Sequence, residues 1–335
     1  MITKQKGEKS MKKVLLFALV LILAAGMVFA GGSKEKGEGG EKADGGKQFI
    51  VIKSSSIGGS WYACGAAFAK LISDNTKYVA MNSASPGLTN ESIKAMMDGK
   101  AQLGLADAEA AYAALKGNDP WTAPVAVNNL FTIWPGVFNV IVGADTNIKT
   151  LADLKGKSIA TYVEGEPSGI AFMDLLSWVG VTDKNSRVYR IMKNDATRMF
   201  IDGQADCLIY AFGHGHAKLK EITTARKVRF LPTDDANVKK FIEKYPFYTS
   251  EKFGSEFGVP DEQQFISPYF IACLDTLPAD QAYEFTKVWW ENWKFLEEAL
   301  PSNVPYINRS NPKGDLPFPL HPGSEKYFKE KGIIK

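Results

Sequence analysis

Cysteine is scarce in this chain, which has three cysteines among its 335 residues. Cys64, Cys207 and Cys273 are widely spaced, and each lies within an apolar segment. We therefore expect buried free thiols, with a single disulfide as the alternative in an exported protein. So few cysteines exclude a fold that depends on a disulfide framework.

Histidine is equally scarce, with three residues. His214 and His216 form an H-x-H pair that would suit a metal ion, but no cysteine or carboxylate stands immediately beside it, so we interpret it as a loop that leads into a helix. His321 lies in PLHPG, which we interpret as a packed turn. The G-x-S-x-G, H-E-x-x-H and Walker motifs are also missing. These absences favour a protein that is not an enzyme, and we expect no cofactor and no bound metal.

A strong net charge is also lacking. The formal charge of the chain is +3, but five lysines and one glutamate within residues 1–30 supply +4, which leaves the rest near −1. Binding to nucleic acid requires a basic surface. We therefore expect no nucleic-acid partner.

Long apolar runs are limited to one segment, Val14–Ala30, which two lysines precede and small residues close. This pattern predicts that residues 1–30 are a signal peptide, with Met11 as an alternative start, and that the protein is periplasmic or extracytoplasmic. A membrane anchor is the alternative, although 17 residues are few for a span. No cysteine follows Ala30 to accept a lipid. The remaining chain has no comparable run and is expected to be soluble.

Residues 31–47 contain seven glycines and no large apolar side chain. Such a segment buries too little surface to offset its ordering entropy, so we predict a flexible linker. Folded protein is expected to begin near Gln48, which leaves enough residues for one large domain or two lobes.

From Gln48 onward, short apolar runs alternate with stretches of helical periodicity. This alternation predicts an α/β fold with largely parallel sheets. One long helix is expected near the C-terminus, opening at Pro278–Asp280 and continuing through Leu296. The predicted strands are QFIVI, AQLGLA, FNVIVG, KSIATYV, RVYRI, ADCLIY, VRFL and SPYFIACL.

Three polar loops that lead from a strand into a helix are the candidate ligand contacts, because parallel sheets bind ligands at the carboxyl ends of their strands. The first is SSSIGGSWYACG, in which Ser60 is expected to cap the helix. The second is SASPGLTNES, with Thr89 or Asn90 as the cap. The third is YVEGEPSGI, in which Ser168 and Gly169 open the helix. A helix N-terminus carries partial positive charge and free N–H groups, which suit a carboxylate or phosphate.

Several blocks follow one another in a fixed order: IGGSWYACGAAFAKLI, GLTNESIKAMMDGKAQLGLADAEAAYAAL, NIKTLADLKGKSIA, PSGIAFMDLLSWVGVT, IDGQADCLIYAF and FPLHPGSEKYFKEKGI. Together with the signal peptide they resemble the TAXI family, the solute receptors of TRAP transporters, over about residues 48–333. The first turn and the terminal PLHPG block carry most of the specificity, since DLKGK occurs in many binding proteins.

The resemblance implies a type II periplasmic-binding-protein fold, in which two α/β lobes, each a mostly parallel sheet flanked by helices, are joined by a two-strand hinge. Lobe I would comprise residues 48–142 and 265–335, and lobe II residues 143–264. FNVIVG and SPYFIACL would be the crossing strands. The lobes would close because a ligand can contact both lobes at once only in the closed state.

The resemblance also implies a function: capture of a small organic-acid or amino-acid ligand, such as glutamate, a dicarboxylate or a keto acid, and its delivery to a TRAP membrane permease driven by an ion gradient. A ligand-binding sensor or surface antigen of the same fold without a transport role is the alternative. The cleft is expected to be the same in both cases.

This chain departs from the family pattern in the loops themselves. Ser54 and Ser55 stand where the family has Thr and Gly, Ser60 replaces Thr, and Trp61 replaces a Tyr, so the identity of the ligand does not follow from the resemblance. The residues expected to contact the ligand are Ser55, Ser56, Gly59, Ser60, Trp61, Tyr62, Thr89 and Trp134 from lobe I and Tyr162, Ser168, Gly169 and Tyr210 from lobe II. Core packing is the alternative for Trp134 and Tyr210. Glu164 and Glu166 are expected in a solvated turn; either one turned inward would suit a ligand amine.

Overall fold

A computed structural model describes residues 48–85 and 88–335 of the chain. The predicted signal peptide and linker lie outside the described residues, as do Pro86 and Gly87 of the second loop. Within the described part, no helix is both long and apolar enough to cross a membrane.

Strands and helices alternate along most of the chain, as the apolar pattern predicts. The described strands are β1 Phe49–Lys53, β2 Val79–Ser83, β3 Leu103–Asp107, β4 Val127–Gly143, β5 Ser158–Thr161, β6 Arg187–Arg190, β7 Cys207–Ala211, β8 Val228–Phe230, β9 Thr249–Phe253 and β10 Glu262–Leu274.

The helices follow the strands in the same order. They are α1 Ser60–Asn75, α2 Leu88–Met97, α3 Ala108–Lys116, α4 Pro167–Trp178, α5 Lys193–Ile201, α6 Ala217–Ala225, α7 Asp235–Lys244, α8 Ala279–Glu291, α9 Trp293–Ala299 and α10 Pro322–Glu330. Short 3₁₀ turns occur at Leu151–Leu154, Ser255–Phe257 and Val304–Tyr306.

The sheet has two parallel halves joined by two long antiparallel strands. Its order is β2-β1-β3-β10-β4-β7-β5-β6, with β8 on β4 and β9 on β10. β1, β2 and β3 are parallel to one another, as are β5, β6 and β7, whereas β4 and β10 run antiparallel to each other and to their outer neighbours. The predicted two-lobed α/β class is therefore confirmed, although the crossing strands link both halves into one hydrogen-bonded sheet.

The pairing register of β4 and β10 places the carboxyl ends of the parallel strands β3 and β7 beside the middle of these two long strands. Asp107, at the end of β3, lies opposite Tyr269 of β10, and Ala211, at the end of β7, lies opposite Phe138 of β4. Between these points Gly136 of β4 faces Ser267 of β10. Because ligands bind beyond the carboxyl ends of parallel strands, the two halves present their ligand-binding edges to each other.

Aromatic side chains dominate the core of the first half. Trp289 of α8 is fully buried and stacks on Phe131 of β4, with ring centroids 5.2 Å apart, while Phe68 of α1 meets Trp289 edge-on at 5.2 Å. Buried aromatic pairs of this kind contribute roughly 0.5–1.5 kcal/mol beyond their buried area. They fix α1 and α8 against the sheet, and with them the loop that precedes α1.

Several local expectations need correction. FNVIVG is only the end of β4, which begins at Val127, because the preceding residues pair with β10. The long C-terminal helix is divided at Asn292, whose side chain donates a hydrogen bond to the carbonyl of Val288. Strands β2 and β9 were not predicted; β2 has a half-exposed pattern without a continuous apolar run. The three cysteines are buried and free.

The expected helix caps also differ. Ser60 is the first residue of α1, with Gly59 at the cap position and no side-chain cap. Thr89 lies inside α2 and does not begin it. Helix α4 begins at Pro167, so Ser168 and Gly169 belong to its first turn. Helices α1 and α4 thus begin without a capping side chain.

A polar contact joins the second half to the C-terminal segment. The ring nitrogens of His214 lie 2.9 Å from Glu251 Oε1 and 3.1 Å from Glu256 Oε1. The same ring stacks on Tyr306 at 4.2 Å, and Tyr306 Oη donates to Glu256 Oε2 at 3.1 Å. Burial lowers the pKa of His214, but hydrogen bonds and charges from Glu251 and Glu256 together outweigh it, so the pKa is raised.

Replacement of His214 by Gln is expected to lower the free energy of unfolding by about 1 kcal/mol near pH 6 and by less near pH 9. A raised folded pKa means that the contribution is complete below the unfolded value and is lost as pH rises through the folded value. Urea unfolding at both pH values measures this.

The matched control is His216→Asn, which keeps a cap for α6. His216 has a pKa lowered to about 3, chiefly by burial. Its contribution is therefore present above the unfolded pKa and lost as pH falls. The His216→Asn variant should therefore gain free energy of unfolding at low pH relative to neutral pH. The His214→Gln variant should instead lose most at low pH. Parallel pH profiles of wild type and His214→Gln would contradict the assignment.

Candidate functional site

Three helices begin at the facing edges of the two sheet halves without a capping side chain. They are α1 after β1, α4 after β5 and α5 after β6, with Gly59, Glu166 and Met192 at their cap positions. The first N–H groups of a helix have no partner within the helix. By contrast, Asp107, His216, Asp234 and His321 cap the helices that follow them. The open termini leave N–H groups and partial positive charge available to an anion.

The conformation of the first loop depends on its two glycines. Gly58 has φ +89°, which favours glycine, and Ser55 packs so closely on Gly59 that a Cβ there would lie 2.7 Å from Ser55 Oγ. Ser55 is half-buried and Ser56 is exposed, and Ser55 Oγ donates to the Ser56 carbonyl at 3.3 Å. The loop therefore brings backbone and hydroxyl groups to the start of α1.

Trp61 forms one wall of the site with an aromatic residue that was not predicted. Its ring meets Tyr269 of β10 edge-on, with centroids 4.8 Å apart. Tyr269 in turn lies over Gly136 of β4, where a Cβ would come 2.2 Å from Tyr269 Oη. A side chain at position 136 would displace Tyr269, so glycine is required at this crossing point.

Thr89 has a positioning role. It is fully buried, and its Oγ1 donates to Asp107 Oδ2 at 2.5 Å and accepts from the Asp107 N–H at 3.0 Å. Asp107 Oδ1 accepts from the N–H of Ala110 at 2.8 Å, which caps α3. Burial raises the pKa of Asp107, and the hydrogen bonds from Thr89 and Ala110 oppose that rise.

Glu109, two residues further along α3, is buried. The hydroxyl groups of Tyr248 and Ser267 interact with its carboxyl group. Burial, followed by the charge of Asp107, raises the pKa of Glu109 well above its usual range. The sequence analysis did not single out this residue.

The opposite wall of the site comes from the second half. The Tyr162 ring lies 4.2 Å from the Tyr210 ring, and Tyr162 Oη accepts from the Ala211 N–H at 2.8 Å. A Cβ on Gly169 would lie 2.8 Å from Tyr162 Cβ, so the start of α4 packs directly on Tyr162. The Tyr210 hydroxyl donates to the Ile191 carbonyl, which makes Tyr210 a rigid part of the wall.

Lys193 and Glu166 bring opposite charges to this wall. Lys193 Nζ donates to the Ala211 carbonyl at 2.9 Å and lies over the Tyr210 ring at 5.6 Å. Burial lowers the pKa of Lys193 to about 8, against the opposing charge of Glu166. Burial and the charge of Asp107 raise the pKa of Glu166 to about 8, while Lys193 opposes the rise. Glu166 is therefore within electrostatic reach of a residue from the other half.

Glu164 turns away from this cluster. Its side chain is 84% exposed and pairs with Arg190 Nε at 2.9 Å, and Arg190 also binds Asp183. A pocket of about 270 Å³ is lined in part by Tyr162, Glu164, Glu166 and Arg190. Of the two glutamates in the third loop, Glu166 is the less exposed, and its pKa is raised by burial and by the charge of Asp107 from the other half of the sheet.

The predicted contacts thus separate into groups. Ser55, Ser60, Trp61, Tyr162, Gly169 and Tyr210 lie around the facing edges. Ser56 and Gly59 are exposed in the first loop, Tyr62 is half-buried in the first turn of α1, and Ser168 is buried in the first turn of α4. Trp134 is 3% exposed and lies in the same core cluster as Trp61, which favours the alternative of core packing.

The residues that sequence reasoning missed are charged or lie on the crossing strands. Asp107 and Glu109 directly follow the buried strand LGLA and begin an alanine-rich helix, a position where acidic residues usually serve as caps. Lys193 follows β6 in the same way. Within residues 48–85 and 88–335, no group of three His, Cys, Asp or Glu side chains is arranged to hold a metal ion.

Solved structures share this architecture. A structure described as a periplasmic transporter is 14% identical, covers 85% of this chain and 93% of its own, and has a TM-score of 0.50. XAC2383 from Xanthomonas citri, bound to chloride ion, is 9% identical over 85% and 97% of the two chains, also with a TM-score of 0.50. The periplasmic aliphatic sulphonate binding protein SsuA from Escherichia coli is 14% identical over 86% and 94%, with a TM-score of 0.47.

Two sheet halves that face each other across a pair of crossing strands define the class of this chain as a type II periplasmic-binding-protein fold. Residues 52–332 match the model of the NMT1-like family. The chain belongs to the NMT1-like family.

Thr89→Val is expected to lower the free energy of unfolding by about 1–3 kcal/mol, because it leaves Asp107 without its hydroxyl partner in a buried setting. The pKa of Asp107 should rise further, since the hydrogen bond from Thr89 lowers it. Urea unfolding measures the loss, and Thr89→Ser, which keeps the hydroxyl, is the control. Equal losses in the two variants would contradict this positioning role.

Proposed function

We propose that this protein is an extracytoplasmic solute receptor of a TRAP transporter, which captures a small carboxylate-bearing solute between its two lobes and delivers it to a membrane permease. The lobes would be residues 48–142 with 265–335 and residues 143–264. β4 and β10 would act as the hinge between them.

The observation that carries the proposal is the set of open helix termini on both sides of the cleft. The N–H groups at the start of α1 come from one half, and those of α4 and α5 come from the other. A carboxylate bound between them gains contacts with both halves only when these lie close together. Such a ligand therefore favours the closed state over the open state.

Two features support a transport role. The ordered blocks from the first turn to PLHPG resemble the TAXI receptors, and the match to the NMT1-like family model covers the same part of the chain. A sensor or surface antigen with the same cleft remains the alternative function, since the chemistry of capture is shared by both.

Ligand capture is expected to appear as thermal stabilisation. A carboxylate solute at 100 times its dissociation constant should stabilise the folded state by about 2.7 kcal/mol. A thermal-shift screen with amino acids, dicarboxylates and keto acids measures this. Gly169→Ala should abolish the shift, because its Cβ would press on Tyr162 at the start of α4; Gly203→Ala, in an open loop, is the control for general destabilisation of a glycine site. No shift with any of these acids would overturn the proposal.

Transport is expected to require a membrane partner and an ion gradient. A permease gene is expected beside this gene. That permease, reconstituted in vesicles, should take up the identified solute only when the receptor is present and an ion gradient is imposed, without ATP. Uptake that depends on ATP would contradict the TRAP assignment. An adjacent sensor kinase gene and no permease gene would favour the sensor.

A further inference from the structure

Lys193 places an ammonium group across the carboxyl ends of the strands of the second half. It follows β6 as the first residue of α5, and the strands β6, β5 and β7 lie side by side in the sheet. Its Nζ donates a hydrogen bond to the carbonyl of Ala211, at the end of β7, over 2.9 Å. The side chain therefore extends from β6 past the end of β5 to β7, along the edge where parallel sheets bind ligands.

Tyr162 brings a hydroxyl group to the same residue of β7. It directly follows β5, and its Oη accepts a hydrogen bond from the Ala211 N–H at 2.8 Å. The N–H and C=O groups of one residue in an extended strand point to the same side of that strand. Tyr162 Oη and Lys193 Nζ are therefore neighbours on one edge of β7, whose other edge pairs Ala211 with Phe138 of the crossing strand β4.

Both groups keep hydrogens that the protein does not use. An ammonium group has three donors, and a phenol that accepts a hydrogen bond still has its own hydrogen to donate. Within residues 48–85 and 88–335, Lys193 donates only to the Ala211 carbonyl, and no group accepts a hydrogen bond from Tyr162. Tyr210 differs, because its hydroxyl donates to the Ile191 carbonyl. Two groups with unused donors thus lie side by side at the end of β7.

The ammonium group of Lys193 is not neutralised by a close carboxylate. In the part of the chain that the structure describes, no carboxylate oxygen lies within 4.0 Å of its Nζ, whereas Arg190 pairs with both Glu164 and Asp183. The charge of Glu166 acts on Lys193, but burial raises the pKa of Glu166 to about 8, so this group is mostly neutral near pH 7. Lys193, with a pKa of about 8, is mostly charged at that pH.

The surroundings of Lys193 fix its position. Its Nζ lies over the rings of Tyr210 and Phe212, 5.6 and 5.3 Å from their centroids, and aromatic faces attract an ammonium group. Charge-assisted hydrogen bonds are roughly twice as strong as those between neutral groups. The uncapped start of α5 adds partial positive charge beside the ammonium group. This combination of groups suits an anion.

We propose that Lys193, together with the hydroxyl group of Tyr162, binds the anionic group of the solute and thereby selects acids over their neutral amides. This inference rests on the proposed receptor function and deepens it. The N–H groups of an open helix terminus can also bind the carbonyl of an uncharged amide, whereas the full charge of Lys193 distinguishes the two.

A cycle of two substitutions, one in the protein and one in the solute, tests this assignment. Lys193→Gln removes the charge but keeps an N–H group for the Ala211 carbonyl, and a carboxamide in place of a carboxylate removes the charge of the solute. Titration calorimetry would compare pyruvate with pyruvamide, succinate with succinamate, and glutamate with glutamine and isoglutamine. For the acid that binds best, the wild type should prefer the acid at least thirtyfold, and Lys193→Gln should reduce that ratio at least tenfold.

Two further variants separate the charge from a structural role. Lys220→Gln, exposed on α6 in the same half, loses the same charge and should keep the acid-to-amide ratio within twofold of the wild type. Lys193→Met also loses the hydrogen bond to Ala211, and its ratio should fall as far as that of Lys193→Gln, because the ratio depends on the charge. Thermal midpoints without solute show whether each variant is folded.

The outcomes distinguish this inference from the receptor proposal. If acids bind but Lys193→Gln keeps the wild-type ratio, or weakens acid and amide equally, the assignment is wrong and the receptor function stands. If no acid binds to the wild type, the receptor proposal fails and the inference fails with it. A reduced ratio in folded Lys193→Gln, with Lys220→Gln unchanged, supports the assignment.

Discussion

The antiparallel pairing of β4 with β10 is the constraint on which the rest of the molecule depends. These strands continue from one half of the sheet into the other, and their register decides which strand ends face each other. Asp107 opposite Tyr269 and Ala211 opposite Phe138 are direct consequences. Gly136 and Ser267 lie at the centre of the pair, where little space remains for side chains. The backbone hydrogen bonds between β4 and β10 thus determine the position of the cleft.

The stability of the halves allows the site to hold groups that oppose folding. Rings packed around Trp289 and Phe131 fix one half, and a cluster around Phe172 and Phe241 extends between helices of both. Against this background the cleft contains uncapped helix termini and buried carboxylates, each of which costs stability. These uncapped helix termini and buried carboxylates are concentrated where a ligand can bind them. Proteins commonly accept such a loss of stability at a site that their function requires.

The sequence predicted the loops that form the candidate site, but it did not predict the charged residues beside them. The loops that precede α1 and α4 were identified because glycine and hydroxyl residues stand between a strand and a helix, and that signal is local. Thr89 was predicted to contact the ligand, but its hydroxyl donates a hydrogen bond to Asp107. Trp134 is buried, and the sequence could not separate core packing from a position at the cleft, because a tryptophan on a buried strand and one at a cleft mouth look alike in the sequence.

The sequence by itself determined the α/β alternation and the loops at the strand ends, because periodicity and turn chemistry depend on residues close together in the chain. The crossing role of two of the strands followed from the resemblance to a family. The tertiary structure alone decided that Glu166 lies within electrostatic reach of Asp107, that Glu164 is exposed and paired with Arg190, and that Glu109 is buried beside Tyr248 and Ser267. Burial and the surrounding charge set the ionisation of these groups, and both are supplied by residues far apart in the sequence. Three ordinary acidic residues therefore become a distinct chemical environment only after the two halves are joined.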